Sequence, residues 1–200
     1  TIDYETVKAQ PQRIGGTTKE NNTIYIRPNG EVEPSKAPIQ RRGDTYTFKD
    51  NVFGSIIIEK DNAVIDGAGF TLQGTGADDQ RPSSNFNPDL FDGWRPSESY
   101  VTPESNNTGI YSYAQGLTIK NLKITQFWCA IELEYSADHT IIQNQIIDNT
   151  LGIRIGYSSN NLIADNTVAN SKQAITLMSA HDTIQNNTII NEEYPEFFNS

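Results

Sequence analysis

Residues 109–113 read GIYSY, and three later stretches repeat this pattern: AIELE at 130–134, GIRIG at 152–156 and AITLM at 174–178. Each stretch opens with a small residue followed by isoleucine, and successive stretches begin 21 or 22 residues apart. A fixed period of this length is the signature of a repeat protein, in which each repeat is one small structural unit. The repeat therefore predicts the architecture before any single motif does.

A second series of isoleucines keeps the same interval through these copies. Its members are Ile119, Ile141, Ile163 and Ile184. Around each member, apolar and polar residues alternate over only a few positions, which indicates short strands and is too brief for a helix. Each repeat is therefore predicted to contain two or three short strands joined by tight turns.

One repeat is too small to bury its own apolar face, so we expect the repeats to coil and stack. Equivalent isoleucines would then lie above one another at the spacing of paired strands, about 4.8 Å. Leu122 is followed at the same interval by Asn144, Asn166 and Asn187, and stacked asparagines can hydrogen-bond along such a column. The sequence thus predicts an all-β protein, a right-handed parallel β-helix with about five coils of 21–22 residues.

These features resemble the right-handed parallel β-helix repeat family, the broad group of pectate-lyase-like and NosD-type periplasmic or surface proteins. The similarity extends over about residues 54–191, and the sequence VIDGAG at 64–69 is similar to the opening coil of many members. This scaffold carries lyases, hydrolases, adhesins and structural proteins alike, so the resemblance implies a fold and no single activity. It also implies an extracellular or cell-surface location.

The chain divides into a repeat region and flanking segments. Residues 1–22 are polar and lack periodicity, and we expect a flexible N-terminal arm. Residues 23–53 are predicted to be an N-terminal cap, because the end of a β-helix exposes strand edges that a different segment must cover. Residues 54–191 would form the β-helix, with a long lateral loop over residues 74–108, and residues 192–200 a C-terminal tail or cap.

Charge and cysteine content narrow the range of partners. The chain of 200 residues has a formal net charge of −10 and one cysteine, Cys129. Nucleic acids and anionic membranes favour basic surfaces, so neither is an expected partner. The sequence contains no apolar run of about 20 residues, the length that spans a membrane.

Cys129 has no histidine in register beside it and is expected to be a buried or half-buried structural thiol.

Glu132 and Glu134 are the candidates for catalysis. They should lie on the outward side of one strand about 7 Å apart, near the separation used in sugar hydrolysis. Arg154 is one coil away and could instead pair with Glu132, and an exposed pair of this kind contributes roughly 0–1 kcal/mol. The calcium and arginine constellation of pectate lyases is not apparent, because no outward aspartate cluster accompanies Arg154. We therefore expect no catalytic site, with these three residues as the candidates if there is one.

Metal-binding patterns are incomplete. Asn85, Asn87 and Asp89 resemble the first half of a calcium loop, but neither the glycine at position six nor the glutamate at position twelve follows. Copper chemistry of the NosD type would need clusters of His, Met or Cys. The chain has one methionine and one cysteine, and its two histidines, His139 and His181, lie in predicted turns. No cofactor is expected, with calcium at residues 85–89 as the alternative.

Two further groups of residues are candidates for surface contacts. Asn-X-Thr triplets, which could carry glycans, begin at Asn21, Asn106 and Asn186. Aromatic side chains that could contact a partner or a glycan are Phe91, Trp94, Tyr111 and Tyr113. Tyr135 and Tyr157 occupy equivalent positions on successive coils, so we expect their rings to stack on each other.

Two classes of function follow. The first is a non-catalytic structural protein that assembles into a homo-oligomer or filament through the N-terminal arm and the coil ends, since a head-to-tail contact that does not close makes a filament. The second is a carbohydrate-active enzyme or glycan-binding module that holds a polysaccharide on the outward strand face and the long loop. A carboxylate with a strongly raised pKa in a cleft would favour the second class, whereas an exposed ion pair between Glu132 and Arg154 would count against it. We expect the first class.

Overall fold

Three stacked β-sheets form the protein. A computed structural model describes residues 23–76 and 107–190, and these ranges contain twenty strands and no helix. No helix in these two ranges is long and apolar enough to cross a membrane. The β-helix predicted from the repeat is confirmed, because each strand of one coil pairs in parallel with the equivalent strand of the next coil.

The sheets are named A, B and C, in the order in which each coil visits them. Sheet A contains β18 (Gln173–Ala180), β15 (Leu151–Ser159), β12 (Cys129–Glu134), β9 (Thr108–Ser112), β6 (Ser55–Ile58), β1 (Thr23–Ile26) and β2 (Val32–Glu33). Sheet B contains β19 (Thr183–Gln185), β16 (Leu162–Ala164), β13 (Thr140–Ile142), β10 (Thr118–Lys120), β7 (Val64–Asp66), β4 (Thr45–Phe48) and β3 (Ile39–Arg42). Sheet C contains β20 (Thr188–Ile190), β17 (Thr167–Ala169), β14 (Gln145–Ile147), β11 (Lys123–Thr125), β8 (Thr71–Gln73) and β5 (Val52–Phe53).

Five coils follow the same path, the first from β6 to β8 and the last from β18 to β20. The interval of 21 or 22 residues between the isoleucines matches the register in which successive coils pair. Ile131 pairs with Ile110 in the coil before it and with Ile153 in the coil after it. Ile119 and Ile141 pair in the same way in sheet B. All five side chains are at most 1% exposed, so the core is a set of apolar columns that run through the coils.

The N-terminal end of the stack departs from the parallel pattern. β1, β4 and β5 extend the three sheets by one more parallel layer, and β2 and β3 then pair antiparallel with β1 and β4. Tyr46 and Phe48 are fully buried in this layer. The outermost strands are short or charged, because β2 has two residues and precedes Pro34, and β3 carries Arg41 and Arg42. Such edges resist pairing with a further strand.

The strands at the C-terminal end of the described chain differ from these in charge and exposure. β18, β19 and β20 are the last strands of their sheets and contain no charged residue. Ile184 and Ile189 are 52% and 53% exposed, although their partners one coil earlier, Ile163 and Val168, are fully buried. Ile184 and Ile189 are therefore more exposed than the residues that precede them in the same columns.

The predicted asparagine column is confirmed at the turn between sheets B and C. Asn144 Nδ2 donates a hydrogen bond to Asn166 Oδ1 at 3.0 Å, and Asn166 Nδ2 donates one to Asn187 Oδ1 at 3.0 Å. Each of these oxygens also accepts the backbone N–H of the asparagine one coil earlier. The residues before the column, such as Gln143 and Asp165, have φ of 57° and 55°. The asparagines thus satisfy backbone donors that a sharp turn leaves outside the strand ladders.

Candidate functional site

The candidate catalytic residues meet on the outward face of sheet A. Glu132 lies on β12, directly between Tyr111 on β9 and Arg154 on β15. Glu134 is two residues further along β12, and alternate residues of a strand point to the same side. Parallel stacking therefore brings together residues that are 20 to 22 positions apart in the sequence.

Arg154 bridges both carboxylates. Its Nη1 atom contacts Glu132 Oε1 and Glu134 Oε1. Thr108 Oγ1 donates a further hydrogen bond to Glu132 Oε2 at 3.3 Å. The ion pair between Glu132 and Arg154 that the sequence suggested is present, and Glu134 joins it.

This charged cluster is largely buried, with Glu132 the most buried of its three residues. The side chain of Glu132 is 8% exposed and that of Arg154 is 23% exposed. Burial raises the pKa of Glu132 above its ordinary value, Glu134 raises it further, and Arg154 opposes both effects. Burial alone would lower the pKa of Arg154, but Glu134 and Glu132 together raise it. One arginine thus offsets two carboxylates in surroundings with little water.

The cluster has an unfavourable arrangement for glycoside hydrolysis. That reaction needs one carboxylic acid to donate a proton and a second carboxylate to attack or to activate water. Here Oε1 of both Glu132 and Glu134 is engaged by the same guanidinium. The raised pKa of Glu132 is therefore a consequence of burial in an ion cluster.

Cys129 is the structural thiol that the sequence predicted. It is fully buried and pairs in register with Thr108 and Leu151. Its Sγ donates to the carbonyl oxygen of Ile131 at 3.4 Å. Burial raises the pKa of the thiol well above its usual range, so the thiolate needed for nucleophilic attack is disfavoured.

The tyrosines near the cluster differ in exposure. The predicted stack of Tyr135 and Tyr157 is present, with ring centroids 5.0 Å apart and an angle of 4° between the planes. Tyr157 is 63% exposed and Tyr113 is 51% exposed. Tyr111, proposed from the sequence as a surface contact, is only 7% exposed, because its strand position lies opposite Glu132 in the buried cluster. Tyr113 and Tyr157 are therefore the accessible rings in this region.

Among the remaining candidate residues from the sequence, the structure describes the glycosylation candidate Asn186. Asn186 is exposed and has a φ of 54° at a turn. The candidates that lie outside the described residues are Asn21, Asn85, Asn87, Asp89, Phe91, Trp94 and Asn106.

A second polar ladder, at the turn between sheets A and B, was not predicted. His139 Nδ1 accepts the backbone N–H of Leu117 at 3.3 Å. The N–H of His139 in turn bonds Asn161 Oδ1 at 3.1 Å, and the N–H of Asn161 bonds Asp182 Oδ1 at 3.0 Å. Histidine, asparagine and aspartate thus serve as acceptors at equivalent positions. The change of residue type hides this column from a search for one repeated residue.

A repeated serine could have revealed this ladder. Three residues before the successive ladder positions lie Ser136, Ser158 and Ser179. Ser136 Oγ lies 2.7 Å from His139 Nε2. Since Nδ1 of His139 accepts a hydrogen bond, the neutral ring carries its proton on Nε2 and donates it to the serine. Burial lowers the pKa of His139 to about 4, so the ring is neutral at pH 7.

Potential metal ligands do not converge in the described part of the chain. Residues 23–76 and 107–190 contain no group of three His, Cys, Asp or Glu side chains placed to hold an ion. Cys129 is buried in the core and both ring nitrogens of His139 are engaged in the ladder. Met178 lies on the last coil and is 46% exposed. Copper favours soft sulfur and imidazole ligands in close geometry, and these residues do not fit such a centre.

Comparison with known proteins supports the fold. The sequence model of the family described as periplasmic copper-binding protein (NosD) matches residues 93–198, which is more than half of the chain. No curated protein and no solved structure matches the chain. The family is a periplasmic one, and the copper in its description has no matching ligand set among the described residues.

Proposed function

The chain belongs to the NosD family of periplasmic β-helix proteins, and on that premise we propose that it is a non-catalytic scaffold of the periplasm or cell surface that associates with its own copies. The observation that carries this proposal is the contrast between the two ends of the stack. Among the described residues, the strands at the N-terminal end are short or charged, whereas β18, β19 and β20 are uncharged and include the exposed residues Ile184 and Ile189.

The absence of charge at the last coil favours strand addition. An edge strand presents backbone donors and acceptors that another strand can pair with, and soluble proteins usually protect such edges with charges, proline or short length. β18 has eight residues and none of these protections. Burial of an exposed isoleucine contributes about 1.5–3 kcal/mol, so covering Ile184 and Ile189 would stabilise a contact at this end.

The outward face of sheet A supports the non-catalytic part of the proposal. Arg154 holds Glu132 and Glu134 on this face, and the Cys129 thiol is buried in the core, so these candidate reactive groups are engaged in structure. The scaffold role assigns no step to copper, because the described residues do not fit it.

A glycan-binding module is a second candidate, and the exposed tyrosines favour it. The outer ring of the Tyr135–Tyr157 stack is 63% exposed, and flat aromatic rings with a polar tip suit stacking against sugars. Tyr157→Ala should then weaken binding to a polysaccharide, while the control change Gln40→Ala, at an exposed position of β3, should have no effect. If the unmodified chain and both variants bound the polysaccharide equally well, the glycan-binding function would be contradicted.

The scaffold proposal is tested by light scattering coupled to size-exclusion chromatography over a wide range of concentration. We expect a mass that rises above that of one chain, and a variant that lacks residues 1–22 reports whether the arm takes part. A single-chain mass at every concentration would contradict self-association. Turnover of a polysaccharide that is lost in Glu132→Gln, with the fold retained, would contradict the non-catalytic part.

A further inference from the structure

We propose that Tyr135 and Tyr157 form a site of oxidative modification, at which peroxide couples the two rings into dityrosine and so joins the third and fourth coils by a covalent bond. The link lies within one chain and does not depend on self-association. Three features of the pair favour this reaction: the contact between the rings, the backbone conformation of both residues and the exposure of Tyr157.

The two rings are already in contact. Tyr135 directly follows β12, whose last residue, Glu134, pairs with Gly156 of β15, and the N–H of Tyr135 donates a hydrogen bond to the carbonyl oxygen of Gly156 at 3.1 Å. The ring centroids are 5.0 Å apart and the planes differ by 4°, a contact distance for an aromatic pair. The parallel register thus holds two phenols side by side before any reaction.

The backbone of the pair is unusual for tyrosine. Tyr135 and Tyr157 have φ of 52° and 50°. Most of the other non-glycine residues with positive φ in the described ranges are asparagine, aspartate or glutamine. The left-handed conformation is an outlier for a bulky side chain, and such strain persists where the surrounding structure imposes it and is most common at functional sites. The turn therefore fixes the approach of the two rings.

Tyr157 is open to a small oxidant. Gly156 pairs with Met178 and Ser158 pairs with Ser179, so Tyr157 is an extra residue of β15 with no directly paired residue in β18. A bulge of this kind re-aims a side chain. Tyr157 is 63% exposed, whereas Tyr135 is half-buried. Oxidation can thus begin at Tyr157, and its ring has room to turn toward Tyr135.

The coupling consists of two one-electron oxidations. Each phenol loses one electron and its hydroxyl proton, and the two phenoxyl radicals form a carbon–carbon bond between the ring carbons next to the oxygen-bearing carbons. The hydrogen on each bonded carbon then leaves as a proton, and each oxygen takes up a proton to become a hydroxyl again. One hydrogen peroxide accepts the two electrons and two protons and is released as two waters.

The link would stabilise the stack where a disulfide cannot. The chain has one cysteine, Cys129, and it is buried, so no disulfide joins the coils. A bond between positions 135 and 157 closes a loop in the unfolded chain and lowers its entropy, as a disulfide does. The urea concentration at the midpoint of unfolding should therefore rise when the link forms.

Peptide mapping tests the site directly. The full 200-residue chain, in dilute solution, is treated with a peroxidase and hydrogen peroxide, and the monomer band is digested with trypsin. Trypsin cuts after Lys123, Arg154 and Lys172, so Tyr135 and Tyr157 are the single tyrosines of two separate peptides, 124–154 and 155–172. Dityrosine joins these peptides at their summed mass less two hydrogen atoms.

The fold should direct the coupling. Because positioning raises the effective concentration of reacting groups, we expect the linked peptides to be at least about tenfold more abundant from the folded chain than from the chain treated in urea. Tyr157→Phe keeps a stacked ring without the phenol and should lose the linked peptides. Tyr113→Phe removes a phenol outside the pair, at a residue that is 51% exposed, and should keep them. Circular dichroism confirms that both variants are folded.

Each outcome bears on the proposal. Linked peptides 124–154 and 155–172 in the monomer, with a higher urea midpoint than that of peroxide-treated Tyr157→Phe, support a stabilising crosslink. Dityrosine only between chains, or oxidation of Tyr157 without the linked peptides, would overturn the site. Equal yields from the folded and unfolded chains would show that the fold does not direct the coupling, and an unchanged midpoint would overturn its stabilising role.

Discussion

At the scale of single residues, His139 has an unusual role for a histidine. It takes the place of an asparagine in a ladder, accepts a backbone N–H at Nδ1 and donates through Nε2 to Ser136. A second proton would occupy Nδ1 and break the bond to Leu117, in a site that is 1% exposed. The ladder therefore requires the neutral ring.

This requirement predicts loss of stability in acid. The pKa of His139 is about 4 in the folded protein, below the ordinary value of 6.5, so between these pH values the unfolded chain binds a proton that the folded protein does not. The free energy of unfolding should fall as pH drops from about 6.5 to 4, by about 3 kcal/mol from this group. Urea unfolding across this pH range measures the slope.

His139→Asn is the matched control for this prediction. Asparagine can supply the acceptor oxygen that Asn161 supplies one coil later, and it does not titrate. The variant should lose the part of the acid sensitivity that His139 contributes. An unchanged pH slope would show that other groups cause the acid sensitivity.

Arg154 should matter more for stability than either of its partners. Arg154→Leu leaves the buried Glu132 and the half-buried Glu134 without their cation, at a cost of at most about 3–5 kcal/mol, the value for a fully buried ion pair. Chemical denaturation at pH 7 measures this loss, which should shrink in acid as Glu132 takes up a proton.

Glu132→Gln provides the comparison. Because the pKa of Glu132 is raised in the folded protein, ionisation of this carboxyl disfavours the folded state at neutral pH. The neutral amide should therefore change the free energy of unfolding by less than about 1 kcal/mol at pH 7, and it should recover part of the loss in the Arg154→Leu background. Equal losses for the two single variants would contradict the bridging role of Arg154.

At the scale of the elements, the asparagine column links coils that the strands alone would leave loosely joined at the turn. Asn166 Oδ1 accepts hydrogen bonds from Asn144, and the backbone N–H and Nδ2 of Asn166 donate to Asn187 Oδ1. Asn166 Nδ2 also donates to the carbonyl oxygen of Ile141 at 2.8 Å. Asn187 holds the same position on the last coil and is half-buried. Asn166 and Asn187 therefore make the same kind of hydrogen bond, but Asn166 is buried and Asn187 is half-buried.

This difference in burial predicts that alanine substitution lowers the free energy of unfolding more at Asn166 than at Asn187. Asn166→Ala leaves several buried backbone and side-chain groups without partners, at about 1–3 kcal/mol for each such group. Asn187→Ala removes the same kind of contact where water can replace it and should cost less. Thermal unfolding of the two variants compares them directly, and a larger loss for Asn187 would contradict the ladder as the source of the effect.

The strands and turns could be predicted from the sequence because stacking imposes the same steric and hydrogen-bonding requirements on every coil. The small residue that opens each repeat is one example: a Cβ atom on Gly152 would lie 2.3 Å from the carbonyl oxygen of Ala174. The buried isoleucine columns and the asparagine column follow from the same constraint. Residues that repeat for such a reason leave a period in the sequence.

The candidate site was less predictable, since its properties depend on neighbours that do not repeat. Alternation placed Glu132 outward, but an outward position need not be exposed, and its burial changes the ion pair from a minor surface contact into a central one. The contact of Arg154 with Glu134 joins residues that are diagonal in the register. The His139 ladder keeps a hydrogen-bonding role while the residue type changes, so periodicity alone does not reveal it.

At the scale of the whole molecule, each coil contacts mainly the coil before and after it. Repeat proteins of this kind have stability that is a sum over units and their interfaces. The last coil has one interface within the described chain, and its strands are more exposed than those of the preceding coil. Stability should therefore decrease toward β18, β19 and β20.

Hydrogen exchange should show this gradient. Amides of β12 and β15 are expected to exchange much more slowly than those of β19 and β20 in dilute protein. If copies join at this end, protection of the last coil should rise with protein concentration while that of β12 stays constant. Uniform protection at all concentrations would contradict both the gradient and the contact.

The single antiparallel layer at the N-terminal end also has a consequence for the order of synthesis. Most hydrogen bonds between turns of the stack join residues about 22 positions apart, so each new coil needs only the coil that left the ribosome just before it. The entropic cost of closing such a loop grows only slowly with its length, so the longer connection between the first two coils adds little to it. Once the layer of β1, β4 and β5 has formed, the chain can thus add coils one by one as it is made or exported, each on the coil before it.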